Sequence, residues 1–157
     1  VTSTEGELVI TPSFSLARDL VEAGADIVAV DVRQNRPFGE PLHELLPRIR
    51  RELGVPVMAD CATAEDAQKA AEIGVDILAS TFGVKANDLG LEPDFELLAE
   101  MLKLGVPVIA EGGFWYPEQA ERSLKMGCWA VVVGSAITRP LEITKRFVRA
   151  CRRASSG

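Results

Sequence analysis

The chain has 157 residues, of which 47% are hydrophobic and 25% are charged, a composition typical of one globular domain. Its 17 Lys and Arg against 23 Asp and Glu give a formal net charge of −6, which argues against a nucleic-acid-binding protein with a basic surface. Apolar runs reach only about six residues, too few for a membrane span, and three scattered cysteines indicate a reducing compartment. We therefore expect one cytoplasmic domain over residues 1–157, bound to neither nucleic acid nor membrane.

One pattern recurs along the chain: a helical stripe, a glycine, a short apolar run and a polar residue. Residues 21–31 resemble residues 71–81 and 124–134. The glycine suits a left-handed helix C-cap, and a short run that is apolar at consecutive positions is typical of a strand buried in a parallel sheet. In chain order, the pattern predicts the end of an early strand at 8–10 and strands near 26–31, 55–60, 75–80, 106–111 and 128–133.

Helices are predicted between these strands. Leu42, Leu45, Leu46 and Ile49 form one apolar stripe, and a second stripe contains Phe95, Leu98, Met101 and Leu102. Thr63 and Asp66 form a capping box that opens a helix running to about Ile73. Pro117 and Pro140 each suit the first turn of a helix, and residues 82–88 are expected to form a loop.

Alternating strands and helices predict a parallel α/β fold. An open doubly wound sheet fits five strands at this length. A (β/α)8 barrel takes about 250 residues, or roughly 31 per unit, so that this chain would supply about five units. The length favours the open sheet, whereas the motifs at the strand ends favour the barrel.

Carboxylates close three of the five predicted strands. In either fold, functional groups collect at the carboxyl ends of parallel strands, and Asp31, Asp60 and Glu111 lie there. A carboxylate at the end of a buried strand is costly unless it is paired or used. An acid that caps the next helix is the ordinary alternative for any one strand, but three at one edge of the sheet indicate a functional site.

Glycines at two strand ends indicate an anion site. Residues 131–136 resemble the last-strand phosphate loop of phosphate-binding barrels, with Gly134 and Ser135 in the loop. Gly112 and Gly113 would form the neighbouring half of the same cup, and Arg139 could hold a phosphate with two hydrogen bonds. A plain glycine turn is the alternative. Metal and nucleotide motifs are missing from the sequence, so we expect a reaction without metal or cofactor on a phosphorylated small molecule.

Other conspicuous residues receive ordinary interpretations. The single histidine, His43, is expected at the surface, and Cys61 is expected to be a packing residue because no histidine is placed to activate it. The aromatic run 114–116 could floor a sugar site or contact a partner subunit. The basic residues of the last helix are expected to form a solvated face; they are Lys145, Arg146, Arg149, Arg152 and Arg153.

These residues resemble the N-acylglucosamine-6-phosphate (N-acetylmannosamine-6-phosphate) 2-epimerase family. The resemblance runs from about Leu8 to Val148 and is most specific over 131–140 and 142–148. Its other segments are 10–13, 20–31, 58–60, 93–98 and 107–112. It implies a ribulose-phosphate-binding (β/α)8 barrel, of which this chain holds about five C-terminal βα units.

The resemblance also implies an activity and a site. The family interconverts N-acetylmannosamine 6-phosphate and N-acetylglucosamine 6-phosphate in sialic-acid catabolism. Glu111 matches its catalytic glutamate, Asp60 its active-site aspartate and Arg139 a substrate-contacting arginine, while Gly112, Gly134 and Ser135 fall in its phosphate loops.

The family pattern differs from this chain at two points. It has its catalytic lysine upstream of the position of Val1, and it often has a basic residue where Gly113 stands. Two alternatives therefore stay open: a truncated, non-catalytic phosphosugar-binding homologue, and another sugar-phosphate isomerase or aldolase on the same barrel. Because five strands leave unpaired sheet edges, we also expect a homo-oligomer, as a dimer.

Overall fold

The computed structural model describes residues 2–4, 7–34, 36, 38–81, 83–87 and 90–154. In chain order, its elements are β1 (Thr2–Thr4), β2 (Glu7–Val9), α1 (Phe14–Glu22), β3 (Val28–Asp31), α2 (Leu42–Leu53), β4 (Val57–Asp60), α3 (Ala64–Ile73), β5 (Ile77–Ala79), β6 (Val84–Asn87), β7 (Gly90–Pro93), α4 (Phe95–Leu102), β8 (Val108–Glu111), α5 (Pro117–Met126), β9 (Ala130–Val132), α6 (Ser135–Thr138) and α7 (Pro140–Ala154). The predicted parallel α/β fold is confirmed.

A five-stranded parallel sheet forms the centre of the described structure. Its strand order, β3-β4-β5-β8-β9, follows the chain without reversal. A doubly wound sheet would reverse its order at a switch point, so the open-sheet alternative does not match this topology. All five strands lie where the sequence predicts them, each starting two residues later than expected, and Asp31 and Asp60 are register partners.

The two faces of the sheet are covered unequally. A large apolar core, which includes Val30, Ala59 and Leu78, lies on the face that packs against the helices. A second cluster of three buried residues, Ile77, Ala79 and Ile109, forms separately. Since side chains alternate between the faces of a strand, Leu78 and its neighbours Ile77 and Ala79 belong to opposite faces. The helices therefore pack mainly against one side.

Two segments differ from the sequence prediction. The early strand, β2, pairs antiparallel with β1 instead of entering the parallel sheet, although the Ile10 carbonyl accepts a hydrogen bond from the Asp31 amide at 2.9 Å. The expected loop at 82–88 contains β6, which forms an antiparallel hairpin with β7. Phe82 and Asp88 lie outside the described residues.

Helix ends follow the predicted signals. The Thr63 hydroxyl accepts from the Asp66 amide, and the Asp66 carboxylate accepts from the Thr63 amide at 3.0 Å, which completes the capping box. Pro117 is the first residue of α5 and Pro140 the first of α7. None of the helices in the described ranges is long and apolar enough to cross a membrane.

Helix α7 has no buried residue. Its apolar side is open: Leu141 is 65% exposed and Phe147 is 69% exposed. The last helix is therefore amphipathic, and much of its apolar side is exposed.

Candidate active site

Three polar side chains meet where neighbouring strands end. Asp60 ends β4, Glu111 ends β8, and Thr81 follows β5, which lies between those two strands. The Thr81 Oγ1 atom lies 2.7 Å from Asp60 Oδ1 and 3.3 Å from Glu111 Oε2. The two predicted catalytic carboxyl groups are therefore close together, and a hydroxyl that the sequence analysis did not select stands between them.

The backbone of Glu111 is held by the neighbouring residue Ser80. The buried Ser80 hydroxyl donates to the Glu111 carbonyl at 3.0 Å and accepts from the Glu111 amide at 3.1 Å. The Ser80 amide donates to the Ile109 carbonyl at 3.2 Å. Ser80 thus continues the β5–β8 ladder with its side chain and fixes the point from which the Glu111 carboxylate projects.

Burial shapes the acidity of both carboxyl groups. Asp60 is only 2% exposed. Loss of hydration raises its pKa to about 7; the Thr81 hydrogen bond opposes this, and the charges of Glu111 and Asp31 add to it. Burial also raises the pKa of Glu111, against the Thr81 hydrogen bond. A close pair of carboxyl groups with raised pKa values is typical of acid–base chemistry near neutral pH.

A cavity of about 380 Å³ opens beside Glu111. Six of its lining residues are the predicted ones: Glu111, Gly112, Gly113, Gly134, Ser135 and Arg139. Arg146 and Arg149 of α7 also line it. Arg149 is exposed, as expected for a solvated basic face, whereas Arg146 is only partly exposed. The site therefore combines two carboxylates, those of Glu111 and Glu142, with exposed backbone and three guanidinium groups. The guanidinium groups are suited to an anionic substrate.

The aromatic run after β8 holds Arg146. Phe114 is buried in the core, 4% exposed. The Arg146 guanidinium lies 4.4 Å from the ring centre of Trp115 and 5.2 Å from that of Tyr116, and its Nη2 donates to the Tyr116 hydroxyl at 2.9 Å. The run thus contacts α7, and Trp115 also lines the cavity.

The family model described as "Putative N-acetylmannosamine-6-phosphate epimerase" (NanE) matches residues 3–153. The chain belongs to this family. Among curated proteins named "Putative N-acetylmannosamine-6-phosphate 2-epimerase", that of Caldanaerobacter subterraneus subsp. tengcongensis is 44% identical over 144 residues, covering 88% of this chain and 61% of its own length. That of Listeria welshimeri is 39% identical over 158 residues, covering 96% of this chain and 67% of its own. The chain thus spans about two thirds of these relatives or less.

Solved structures agree with this assignment. The N-acetylmannosamine-6-phosphate 2-epimerase from Clostridium perfringens matches with a TM-score of 0.80 and 32% identity, covering 96% of this chain and 67% of the other. The thiamine phosphate pyrophosphorylase from Pyrococcus furiosus matches with a TM-score of 0.59 and 21% identity, covering 90% and 66%, a likeness of fold alone.

Asp31 lies apart from the cavity. Its carboxylate is fully buried and pairs with the Arg33 guanidinium, with the Arg33 Nη2 atom 2.7 Å from Oδ2. The Arg33 amide donates to Oδ1 at 3.0 Å. Neither this predicted substrate-binding carboxylate nor its partner Arg33 lines the cavity beside Glu111.

Gly113 is a glycine for a steric reason. Its φ is +74°, and a Cβ atom there would lie 2.6 Å from the Glu92 carbonyl oxygen. The β6–β7 hairpin therefore packs directly against the loop that follows Glu111. The basic residue that the family often has at this position would displace the hairpin as it is placed here.

The remaining candidates lie outside the site. His43 has a side chain that is 75% exposed, and Cys61 is fully buried with a raised pKa caused mainly by burial, so both ordinary interpretations are confirmed. Lys85 lies in β6 and pairs with Glu96 at 2.6 Å and with Asp94 at 3.2 Å. Within the described ranges, no group of three or more His, Cys, Asp or Glu residues could hold a metal ion.

Proposed function

We propose that this chain carries acid–base and phosphate-binding groups of an isomerase that interconverts N-acetylmannosamine 6-phosphate and N-acetylglucosamine 6-phosphate. The observation that carries the proposal is the position of Glu111, which lies within hydrogen-bond distance of Thr81 and also lines an arginine-containing cavity. The family match supplies the substrate class. The proposed place in metabolism is amino-sugar catabolism in the cytoplasm.

The two sugars differ only in configuration at C2, next to the latent aldehyde. Glu111 as a carboxylate removes the C2 proton from the open-chain sugar, and the electron pair moves onto the aldehyde oxygen to form an enolate. A proton returned to the opposite face of C2 gives the epimer. This is proton transfer without redox chemistry, so the proposal includes no cofactor and no metal.

Burial suits Glu111 to this work. A base is most effective when its pKa lies near the operating pH, and burial raises the pKa of Glu111 toward that range. Asp60 is connected to Glu111 through the Thr81 hydroxyl, which lies within hydrogen-bond distance of both carboxyl groups. On the family pattern, the cation that stabilises the enolate is a lysine upstream of Val1.

The phosphate is assigned to the far end of the cavity. Gly112 and Gly113 both have left-handed backbone, with φ of +93° and +74°, and Gly134 and Ser135 line the same cavity. We assign Arg139 to the phosphate oxygens. Asp31 acts indirectly in this proposal, by holding the Arg33 guanidinium in place.

The architecture we propose is a sector of a (β/α)8 barrel. The sheet order follows the chain, and helices pack mainly on one face, as in barrel units. Residues 1–157 would then form one α/β domain of about five units. The proposed assembly is a homo-oligomer, in its simplest form a dimer.

A proton NMR time course in D2O with N-acetylmannosamine 6-phosphate tests the activity. We expect loss of the C2–H signal and growth of N-acetylglucosamine 6-phosphate. Glu111→Gln should abolish both, a loss of at least about 100-fold because the base is removed, while phosphosugar binding persists. Exchange at the wild-type rate in this variant would remove Glu111 from its role.

A second function is favoured by one observation. No lysine lines the cavity among the described residues, and Lys85 is engaged by Asp94 and Glu96. Phosphosugar binding without turnover is the function that such a site would support. Saturable binding of the substrate with no C2–H exchange in the same NMR sample would favour it.

A further inference from the structure

Thr81 joins the two carboxyl groups of the site from the strand between them. A threonine hydroxyl has one proton to donate and lone pairs that accept. Its distances of 2.7 Å to Asp60 Oδ1 and 3.3 Å to Glu111 Oε2 place both carboxyl groups within hydrogen-bond reach. Only one can accept the hydroxyl proton at a time, so the other carboxyl group either donates to Thr81 or loses that bond.

We propose that Thr81 is a positioning residue whose hydroxyl links Asp60 and Glu111 into one unit that shares a single proton. This inference rests on the proposed function, since it names how Glu111 is restored as a base. Thr81 acts through the two carboxyl groups and does not contact the sugar in this proposal.

The two carboxyl groups have different surroundings, and this difference determines which of them exchanges the shared proton with a substrate. Asp60 is 2% exposed and does not line the cavity, whereas Glu111 does. The Glu111 carboxyl therefore exchanges protons with a substrate, and the Asp60 carboxyl is reached only through the protein. Asp60 is a store for a proton that Glu111 has taken up.

The transfer balances without a further reactant. Protonated Glu111 gives its proton from Oε2 to Thr81 Oγ1, while Thr81 gives its own hydroxyl proton to Asp60 Oδ1. The O–H bonds broken on Glu111 and Thr81 are replaced by those formed on Thr81 and Asp60. Glu111 is again a carboxylate and Asp60 is neutral, and the reverse transfer returns the proton.

Neighbouring elements supply the charges that act on Asp60. Asp31 faces it from β3 and is paired with Arg33, and Glu111 faces it from β8. The buried Cys61 follows Asp60 and is held as a thiol by a raised pKa. Two negative neighbours and one hydroxyl donor leave Asp60 without a direct cationic partner among these groups, which favours a stored proton.

Carboxyl 13C NMR titration of the chain itself tests the link without any substrate. We expect Thr81→Val to raise the midpoint of Asp60, because the hydrogen bond to its ionised form is lost. Thr81→Ser keeps the hydroxyl and should restore the wild-type midpoint. Glu111→Gln should shift the midpoint the opposite way, downward, because a negative neighbour is removed. Thr144→Val, on exposed α7, is the matched control and should change nothing.

A wild-type Asp60 midpoint in Thr81→Val, or an equal shift in Thr81→Ser, would overturn the proposal. If the valine variant does not fold, the wild-type hydroxyl decides: a slowly exchanging Thr81 hydroxyl proton supports the link, and rapid exchange contradicts it. Because no turnover enters these measurements, an inactive chain with the expected shifts would refute the proposed function while leaving the carboxyl pair intact.

Discussion

Asp60 is the residue at which stability and chemistry conflict most clearly. It is almost fully buried, and its pKa is raised from 3.8 to about 7, chiefly by loss of hydration. The folded protein therefore holds this proton more tightly than the unfolded chain does. Between about pH 4 and pH 7, the free energy of unfolding falls as the pH rises, because the unfolded chain ionises first. Above that window, the buried charge opposes folding in full.

Replacing Asp60 with Asn should thus stabilise the fold at high pH. We expect Asp60→Asn to raise the melting temperature at pH 8 relative to wild type, by the equivalent of a few kcal/mol, and to show little difference at pH 4, where the wild-type carboxyl is also neutral. Thermal melts at several pH values check this. A difference in melting temperature that stays constant from pH 4 to pH 8 would show that ionisation of buried Asp60 does not destabilise the fold.

At the scale of elements, the β6–β7 hairpin is fixed by one close approach. The backbone of β7 at Glu92 occupies the space that a side chain at residue 113 would need. The hairpin and the loop after β8 are thus in direct contact at the edge of the cavity, and the glycine is required twice: for its left-handed φ and for its missing Cβ.

Gly113 and Gly54 have nearly equal φ angles, but only Gly113 lacks space for a Cβ atom. Comparing them therefore separates the backbone cost from the steric cost. Gly113→Ala introduces a left-handed alanine and a clash, whereas Gly54→Ala, at φ +71° with open space around the Cβ position, introduces only the backbone cost. We expect Gly54→Ala to cost about 1–2 kcal/mol and Gly113→Ala to cost about 1–3 kcal/mol more. Urea unfolding measures both. Equal decreases in the free energy of unfolding would show that the hairpin moves away from the new Cβ atom at no energetic cost.

At the scale of the whole molecule, apolar surface is left open on α6 and α7. Ile137 and Phe147 are each 69% exposed and Leu141 is 65% exposed. Strands β3 and β9 each have a sheet partner on one side only within the described residues. Exposed apolar patches and unpaired strand edges both favour association.

We expect the chain to sediment as more than a monomer at micromolar concentration. Changing Leu141 and Phe147 together to Glu should shift it toward the monomer while leaving the melting temperature nearly unchanged, because no residue of α7 is buried. Arg153→Glu changes the formal charge by the same amount and serves as the control. A wild-type chain that already sediments as a clean monomer would contradict this expectation.

Sequence patterns predicted the parts of this fold that depend on local order. Strand positions, the Thr63 capping box and the placing of Asp60 and Glu111 at one edge of the sheet follow from periodicity and from where apolar runs end. Thr81 was missed because its role comes from partners 21 and 30 residues away, on strands to either side. Its only signal was a hydroxyl residue at the end of the strand between the two acidic ends.

Three further features were not predicted. The position of Asp31 at a strand end predicted that its carboxylate binds substrate. In the structure this carboxylate is buried and pairs with Arg33, a pairing that their two-residue spacing does not predict. The β6–β7 hairpin was missed because each of its strands has only four residues, and β7 contains a glycine and a proline, which are uncommon in strands. Arg146 was assigned to solvent because its aromatic partners, Trp115 and Tyr116, lie about 30 residues earlier in the chain.

The strand order has a consequence for how the chain acquires its fold. Paired residues of neighbouring parallel strands are between 19 and 30 positions apart along the chain, so each pairing closes a loop of modest and similar entropy. No strand waits for a distant partner to be synthesised. The sheet can therefore grow one strand at a time as the ribosome releases the chain. Asp60 of β4 and Thr81 after β5 are in place first, and Glu111 joins them only when β8 docks on β5.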